Sequence, residues 1–457
     1  MLGLNQRLKD IAREGKSIKV GLAGLGQMGK GLLSQIRELK GMEVLAFADL
    51  DIEKTKRTLS GLGISRNDYF FLGAESNSRK ESLEISGIKL KKNIFSSEAG
   101  GLIKEAISGG KLIYSDSLSV LFDIDEIDII VDATGNPETG AYIALNTIAA
   151  SKKHLVTLNV EMDVTIGPIL RDFSEKHGVI YTLSAGDEPP AAKELFDFID
   201  SLGMEVIAAG KGKNNPLDRE ADPTSLADYA KEKGSNPYMM ASFVDGTKSM
   251  VEMACLSNAT GLKPDCRGMH AVRANKGELL DILKLKKQGG ILENNGVVEF
   301  VIGDLAPGVF LVYTTKNKIL AEELKYLLMG SGPNYLLYRP YHLTSMETPI
   351  SIARVYFYNE PTMIPEGGLI SEVVTIAKKD LKAGDRIDRI GGYTVYGLID
   401  EYDIAKEQGL LPIGLSEGAV LKRDIEKSRP IKYDDVDLVS DSLVHTLRKI
   451  QDGHTGH

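Results

Sequence analysis

"IKVGLAGLGQMGKGLLSQIRELKGMEVLAFAD" (residues 18–49) is the stretch that decides the fold. Ile18 to Ala23 is an apolar run of strand length. Gly24, Gly26 and Gly29 follow at once, and Lys30 to Lys40 reads as a helix. Val44 to Ala48 is a second strand, and it ends at Asp49. A glycine triplet alone is a weak signal. A strand, GxGxxG, a helix, a second strand and an acid 20 residues after Gly29 together form the full dinucleotide-binding fingerprint. The first glycine makes the tight turn, the second lets backbone approach a pyrophosphate, and the third lets helix and strand pack closely. The helix start offers free N–H groups to the phosphates. The expected cofactor contacts are therefore Gly24, Gly26, Gln27, Met28, Gly29 and Asp49. A carboxylate at Asp49 accepts ribose hydroxyls and repels a 2′-phosphate, which favours NAD over NADP. Lys54, Lys56 and Arg57 partly offset that repulsion.

Working outward, the pattern continues as a doubly wound α/β sheet. Residues 60–120 read as an irregular insertion with one short helix near Leu102 to Ser108. Asp128 to Thr134 is a near-continuous apolar strand, as buried parallel strands are. It is followed by Gly135-Asn136-Pro137, a helix to Ser151, and a strand from His154 to Asn159. Ligands in such sheets bind at the carboxyl ends of strands, so Thr134, Gly135, Asn159 and Glu161 are expected near the nicotinamide. Val179 to Ala185 is a further strand. Asp187 and Glu188 after it either cap the next helix or serve a site.

The chain of 457 residues is too long for one compact core. Residues 1–160 are expected to form the nucleotide-binding unit and 161–362 a catalytic α+β unit, with 340–362 open to return to the first. Residues 363–457 are expected to form a small all-β unit with a C-terminal helix. Hydrophobic content of 42% and charged content of 26% are those of an ordinary globular protein. The net charge of −9, without a basic stripe, argues against a nucleic-acid partner. No apolar run approaches 18 residues, so no membrane span is expected, and the first residues lack a signal-peptide core. Two cysteines are too few for a disulfide framework. A cytoplasmic, homo-oligomeric enzyme with a small-molecule substrate is the expectation.

The second unit carries the stretch "AGKGKNNPL" (209–217 from Ala209). A strand over 205–209 runs into a loop that holds Lys211, Lys213, Asn214 and Asn215. Hydride transfer to a carbonyl builds charge on oxygen, and an ammonium group stabilises that charge and donates the proton. Lys213, with Lys211 behind it, is the expected acid, while Asn214 and Asn215 suit a polyhydroxylated or phosphorylated substrate. Glycines 210 and 212 are expected to allow close backbone approach. Further on, Asp245, Lys248 and Glu252 fall on one face of a helix expected over 243–253. His342 lies in the polar cluster Arg339-Pro340-Tyr341-His342-Leu343-Thr344-Ser345. No HxxxH or HxH spacing marks a histidine metal site.

The glycine motif, "VDATG" (131–135) and "KHLVTLN" (153–159) resemble the homoserine dehydrogenase-like proteins. "LNVEMDVTIGP" (158–168), "SAGDEPPAAKELFDFI" (184–199), "VDGTKSMVEMACLSNATGL" (244–262) and "RPYHLTS" (339–345) are similar to deoxyxylulose phosphate reductoisomerase-like enzymes. "AKKDLKAGDRID" (377–388) and "LLPIGLSEGAVLKRDIEKSRPI" (410–431) resemble a SAF domain. The resemblance implies rearrangement of a hydroxyketone to an aldehyde and then reduction by NAD(P)H. A bound Mg2+ or Mn2+ would suit that chemistry, with Asp187 and Glu188 as ligands and Glu161, Asp245 and Glu252 as further carboxylates. The alternatives are a simple alcohol or semialdehyde dehydrogenase and a nicotinamide-binding sensor without turnover. Three differences stand out. Val160 replaces the lysine of homoserine dehydrogenases, Asp245 and Lys248 are three rather than four apart, and Asp49 is unusual among reductoisomerase-like NADPH users.

Overall fold

The structure is a computed structural model and describes residues 3–85 and 87–454. In chain order the first strands are β1 (Ile18–Ala23), β2 (Met42–Ala48), β3 (Tyr69–Leu72), β4 (Ser78–Ile85), β5 (Ile88–Phe95), β6 (Leu112–Ser115), β7 (Ile129–Asp132), β8 (His154–Thr157) and β9 (Tyr181–Leu183). Seven of these form one parallel sheet in the order β3-β6-β2-β1-β7-β8-β9. The chain leaves β1 towards one edge and returns at β7 to build the other. The switch point therefore lies between β1 and β7, where such sheets open a crevice at their carboxyl ends. This is the expected α/β, doubly wound architecture.

The expected insertion over 60–120 is partly corrected. β3 and β6 belong to the main sheet, and what projects from it is the antiparallel arm β4–β5. Four-residue strands such as "YFFL" and "LIYS" are too short to show a period, which is why they read as irregular.

The second sheet is built on β10 (Glu205–Lys213). Val297–Ile302 pairs with it in parallel on one side, Val309–Thr314 antiparallel on the other, and Asn334–Arg339 extends the sheet. The helix Thr348–Tyr358 then packs back on the first sheet. Its Ile352, Ala353 and Val355 share a core with Val20, Leu22, Val131 and Val156. No helix among the described residues is long and apolar enough to cross a membrane.

Between the sheets runs the helix Thr247–Thr260, with twelve of its fourteen residues buried. A helix covered on all sides needs packing partners on all sides. The last partner comes from the C-terminal segment, where Ser371–Ala377 and Val395–Glu401 pair antiparallel. Val373, Ala377, Ile399 and Leu447 lie in one core with Met250, Cys255, Ile166 and Ile169. The C-terminal segment also holds the short strands Val420–Leu421 and Val436–Asp437 and the helices Tyr402–Glu407 and Leu443–His454. It is not an appended unit, because its apolar face completes the core around the central helix.

Candidate active site

The glycine loop leads directly into the helix Gln27–Arg37, whose first turn receives no side-chain cap. Its N–H groups are left for a ligand. A Cβ on Gly29 would sit 1.9 Å from Gly24 O, so only glycine lets the helix close on the loop. The loop borders a cavity of about 1110 Å³, lined also by Asp49, Thr134 and Asn136 and by the tip of the arm β4–β5. That volume exceeds the ~300–1,000 Å³ of drug-sized ligand pockets and suits an extended ligand. Asp49 Oδ2 accepts the Leu25 N–H at 2.7 Å, and Oδ1 accepts the Asp51 N–H at 2.9 Å. Besides lining the cavity, this carboxylate straps the glycine loop to β2.

Thr134 donates to Asp132 from both N and Oγ1, at 2.9 and 2.6 Å. Burial pushes the Asp132 carboxyl up, against the pull of these donors. Gly135 makes the turn with φ 70°. The expectation for Asn159 is corrected, because its side chain is fully buried and does not face the cavity. It caps the helix Val160–His177 by accepting the Met162 N–H, and its Nδ2 donates to Asn136 O at 2.9 Å. It ties the ends of β7 and β8 together from behind.

The groups expected to do chemistry gather at the carboxyl ends of β8 and β9. The strand β10 runs on to Lys213, so Lys211 and Lys213 stand on one face of a strand rather than in a loop. The glycines between them serve the protein and not a ligand. A Cβ on Gly210 would meet Glu299 O at 1.7 Å, and one on Gly212 would meet Ala306 N at 2.4 Å. Lys211 Nζ lies 2.5 Å from Glu188 Oε1 and also donates to Glu252. Lys248 Nζ donates to Glu161 Oε1 at 2.7 Å. His342 Nδ1 donates to Gly186 O at 3.1 Å, with Nε2 3.5 Å from Glu188. Asp187 stands at the N-cap of the helix Glu188–Ser201 but its side chain makes no cap bond. The capping reading of Asp187 therefore fails. Asp187, Glu188 and His342 can each offer one ligand atom, all within 4.8 Å of one another.

The electrostatics follow from burial. Desolvation and the neighbouring Glu188 push the Asp187 carboxyl far up. Desolvation works the same way on Glu188, but Lys211 and His342 overcome it and hold Glu188 well below the usual range. Glu252 is pushed up by burial and by Glu188. Burial opposes the charge on Lys211, yet Glu188 and Glu252 keep it firmly protonated. Glu161 and Glu252 do the same for Lys248. Lys213 differs. Among the described residues it is in no ion pair, its Nζ donates to Phe243 O at 2.5 Å, and burial plus the charge of Lys211 outweigh the more distant Glu252 and Asp245 and lower its pKa to about 8.

Asp245 does not join this cluster, contrary to the one-face expectation. Gly246, at φ 85°, breaks the run into the helices Pro237–Val244 and Thr247–Thr260. Asp245 turns the other way, onto Lys378 Nζ at 2.9 Å. Lys378 also donates to Ala221 O and Gly392 O. Nothing in "AKKD" distinguishes Lys378 as a buried partner, because its role depends on contacts 133 positions away. Asn214 and Asn215 lie beyond the end of β10, bonded to each other at 3.1 Å, and make no hydrogen bond to the cluster among the described residues.

Residues 186–348, from the turn before Asp187 to the start of the last helix of the first core, match the family model for the catalytic domain of oxidoreductase DRL. With the dinucleotide crevice beside that domain, the chain is an NAD(P)-dependent oxidoreductase. No curated protein matches the sequence. Among solved structures, a homoserine dehydrogenase from Thiobacillus denitrificans is similar at 14% identity, covering 90% of this chain and 98% of that one, with a TM-score of 0.42. A probable dehydrogenase from Thermotoga maritima gives 10% identity, 75% and 90% coverage, and a TM-score of 0.39. A scyllo-inositol dehydrogenase from Lactobacillus casei, with bound NAD(H) and scyllo-inositol, gives 13%, 71% and 76%, and 0.34.

Proposed function

We propose that the chain is an NAD(P)-dependent enzyme of reductoisomerase type, which rearranges a hydroxyketone sugar phosphate or sugar acid and reduces the resulting aldehyde. The observation that carries this reading is a charge imbalance. Glu161, Asp187, Glu188 and Glu252 bring four largely buried carboxyls together, against the three ammonium groups of Lys211, Lys248 and Lys213. Buried charge requires compensation, and the raised carboxyls of Asp187 and Glu252 express the deficit. Asp187, Glu188 and His342 form a mostly oxygen donor set that fits magnesium or manganese. When bound there, a divalent cation would hold two adjacent substrate oxygens and polarise the carbonyl.

The chain's own groups do the rest. Lys211 fixes Glu188 and Glu252, and Lys248 fixes Glu161 at the end of β8. Lys213 carries a proton that it can release near neutral pH, and it serves the oxygen that becomes the product hydroxyl. The C-terminal segment, with its paired strands Ser371–Ala377 and Val395–Glu401, is a SAF-like module in this reading.

A plain alcohol or semialdehyde dehydrogenase is the second reading, and Lys213 favours it, since a carbonyl reduction needs only a hydride source and one acid. Chelation separates the two. Activity is expected to vanish after dialysis against EDTA and to return with Mg2+ or Mn2+. Full turnover in excess EDTA would leave the dehydrogenase reading standing.

A further inference from the structure

We propose that the arm β4–β5 is the second wall of the dinucleotide site, and that Lys89 and Lys91 bind phosphate groups of the dinucleotide. The inference rests on the nicotinamide reading of the crevice and adds residues that the glycine fingerprint does not contain.

An isolated two-stranded hairpin is marginal in water and needs a surface to lie on. The arm finds one through the face of Ile85, Ile88 and Leu90, with Asn93 as a further tether near its base. Ile85, Ile88 and Leu90 are buried, and Lys92 on the same side reaches Asp123 at 2.5 Å. Asn93 Nδ2 donates to Ser117 Oγ at 3.0 Å. Ser117 lies just past the carboxyl end of β6 and Asp123 ends the short helix Ser119–Asp123 that follows it, so the arm is clamped to the sheet that carries the glycine loop. The strand period of two then turns Lys89 and Lys91 to the opposite, exposed face. Residues 87–91 line the large cavity together with Gly24, Gly26 and Asp49.

The charges around that cavity are unevenly satisfied. Asp49 accepts the Leu25 and Asp51 N–H groups, and Asp116 accepts the Ala74 N–H at 2.8 Å. Glu138 accepts from Ser442 Oγ and from the N–H groups of Leu443 and Val444. Among the described residues, neither Lys89 nor Lys91 is in an ion pair, although Glu84 stands across the hairpin from Lys89. Among the described residues, Asp441 is the one acid of the cavity wall in no side-chain hydrogen bond or ion pair. The arm thus brings two uncompensated ammonium groups to a crevice whose floor is a helix N-terminus, and these two features together select a phosphorylated ligand.

The phosphates concerned are the pyrophosphate, shared by both dinucleotides, or the 2′-phosphate of NADP alone. The test uses the full chain. NADH and NADPH are each titrated into the wild type and into a Lys89→Ala/Lys91→Ala double variant, at low and high salt, with circular dichroism as a fold control. The double variant is expected to bind at least one dinucleotide about tenfold or more weakly, with a shallower salt dependence, while a Lys89→Arg/Lys91→Arg variant retains affinity. Equal loss for both dinucleotides assigns the lysines to the pyrophosphate, and loss for NADPH alone assigns them to the 2′-phosphate. Wild-type affinity for both in a folded double variant overturns the proposal and leaves the nicotinamide reading intact. A wild-type chain that binds neither dinucleotide overturns both.

Discussion

Lys213→Ala is expected to lower turnover by ~10²–10⁴-fold, the usual contribution of a positioned acid or base, and to leave dinucleotide affinity nearly unchanged. The buried Lys211 and Lys213 and the half-buried Lys248 stand at the site, and only one of the three suits proton transfer. Lys211 is locked between Glu188 and Glu252, and Lys248 is locked to Glu161. An ammonium group held so firmly does not give up its proton. Lys213 has only a carbonyl acceptor, Phe243 O, and burial together with Lys211 brings its pKa down to about 8. The pH profile carries the sign. In the reducing direction the charged form is the donor, so the rate is flat below pH 8 and falls above it. In the oxidising direction the neutral amine is the acceptor, so the rate rises through the same region. Lys213→Ala should remove that inflection in both directions. A variant with wild-type turnover and an unchanged profile would assign Lys213 to structure alone.

The second large effect is expected from truncation. A chain ending at Thr362 should fail to fold into a soluble, cofactor-binding protein. The reasons are spread along the removed segment. Val373, Ala377 and Ile399 leave the central core exposed when removed. Lys378 is the buried partner of Asp245, and stranding one half of such a pair costs ~3–5 kcal/mol. Arg448 donates to Thr165 O at 3.3 Å, and Gln451 accepts the Ile169 N–H inside the helix Val160–His177, where Pro168 interrupts the ladder. Glu138, just past the β7 turn, caps the C-terminal helix, and Leu443 and Thr446 line the dinucleotide cavity. Size-exclusion chromatography and circular dichroism of the truncated chain provide the check. A monodisperse, folded product with wild-type dinucleotide affinity would show the segment to be an accessory.

The parts of this protein that were legible in its sequence are those written locally. The strand, glycine turn, helix and second strand over 18–49 follow one another directly in the chain, and each carries its own signal, although the helix starts and ends three residues earlier than its apolar spacing indicates. The carboxyl ends of β8 and β9 could also be read, because an apolar run that stops at a polar residue marks a strand end. Three features were hidden for physical reasons. The glycines of "GKGK" look like a loop, whereas they are strand residues made small by the crossing backbone at Glu299 and Ala306. Asp245 has helical spacing from Lys248, but one left-handed glycine re-aims it. Asn159 looks like a ligand contact because of where it sits, yet full burial turns its amide to joining two loops. Lys378 and Glu138 act through long-range contacts, for which a single sequence has no local mark.

The central claim, a rearrangement followed by reduction, is tested most directly by product analysis alongside NAD(P)H oxidation. Purified chain with Mg2+ or Mn2+ is given a panel of hydroxyketone sugar phosphates and sugar acids, with simple semialdehydes as the comparison. The account predicts NAD(P)H oxidation with a hydroxyketone and a product whose carbon skeleton has been rearranged. NAD(P)H oxidation only with simple aldehydes, or reduction of a hydroxyketone with its skeleton intact, would contradict it.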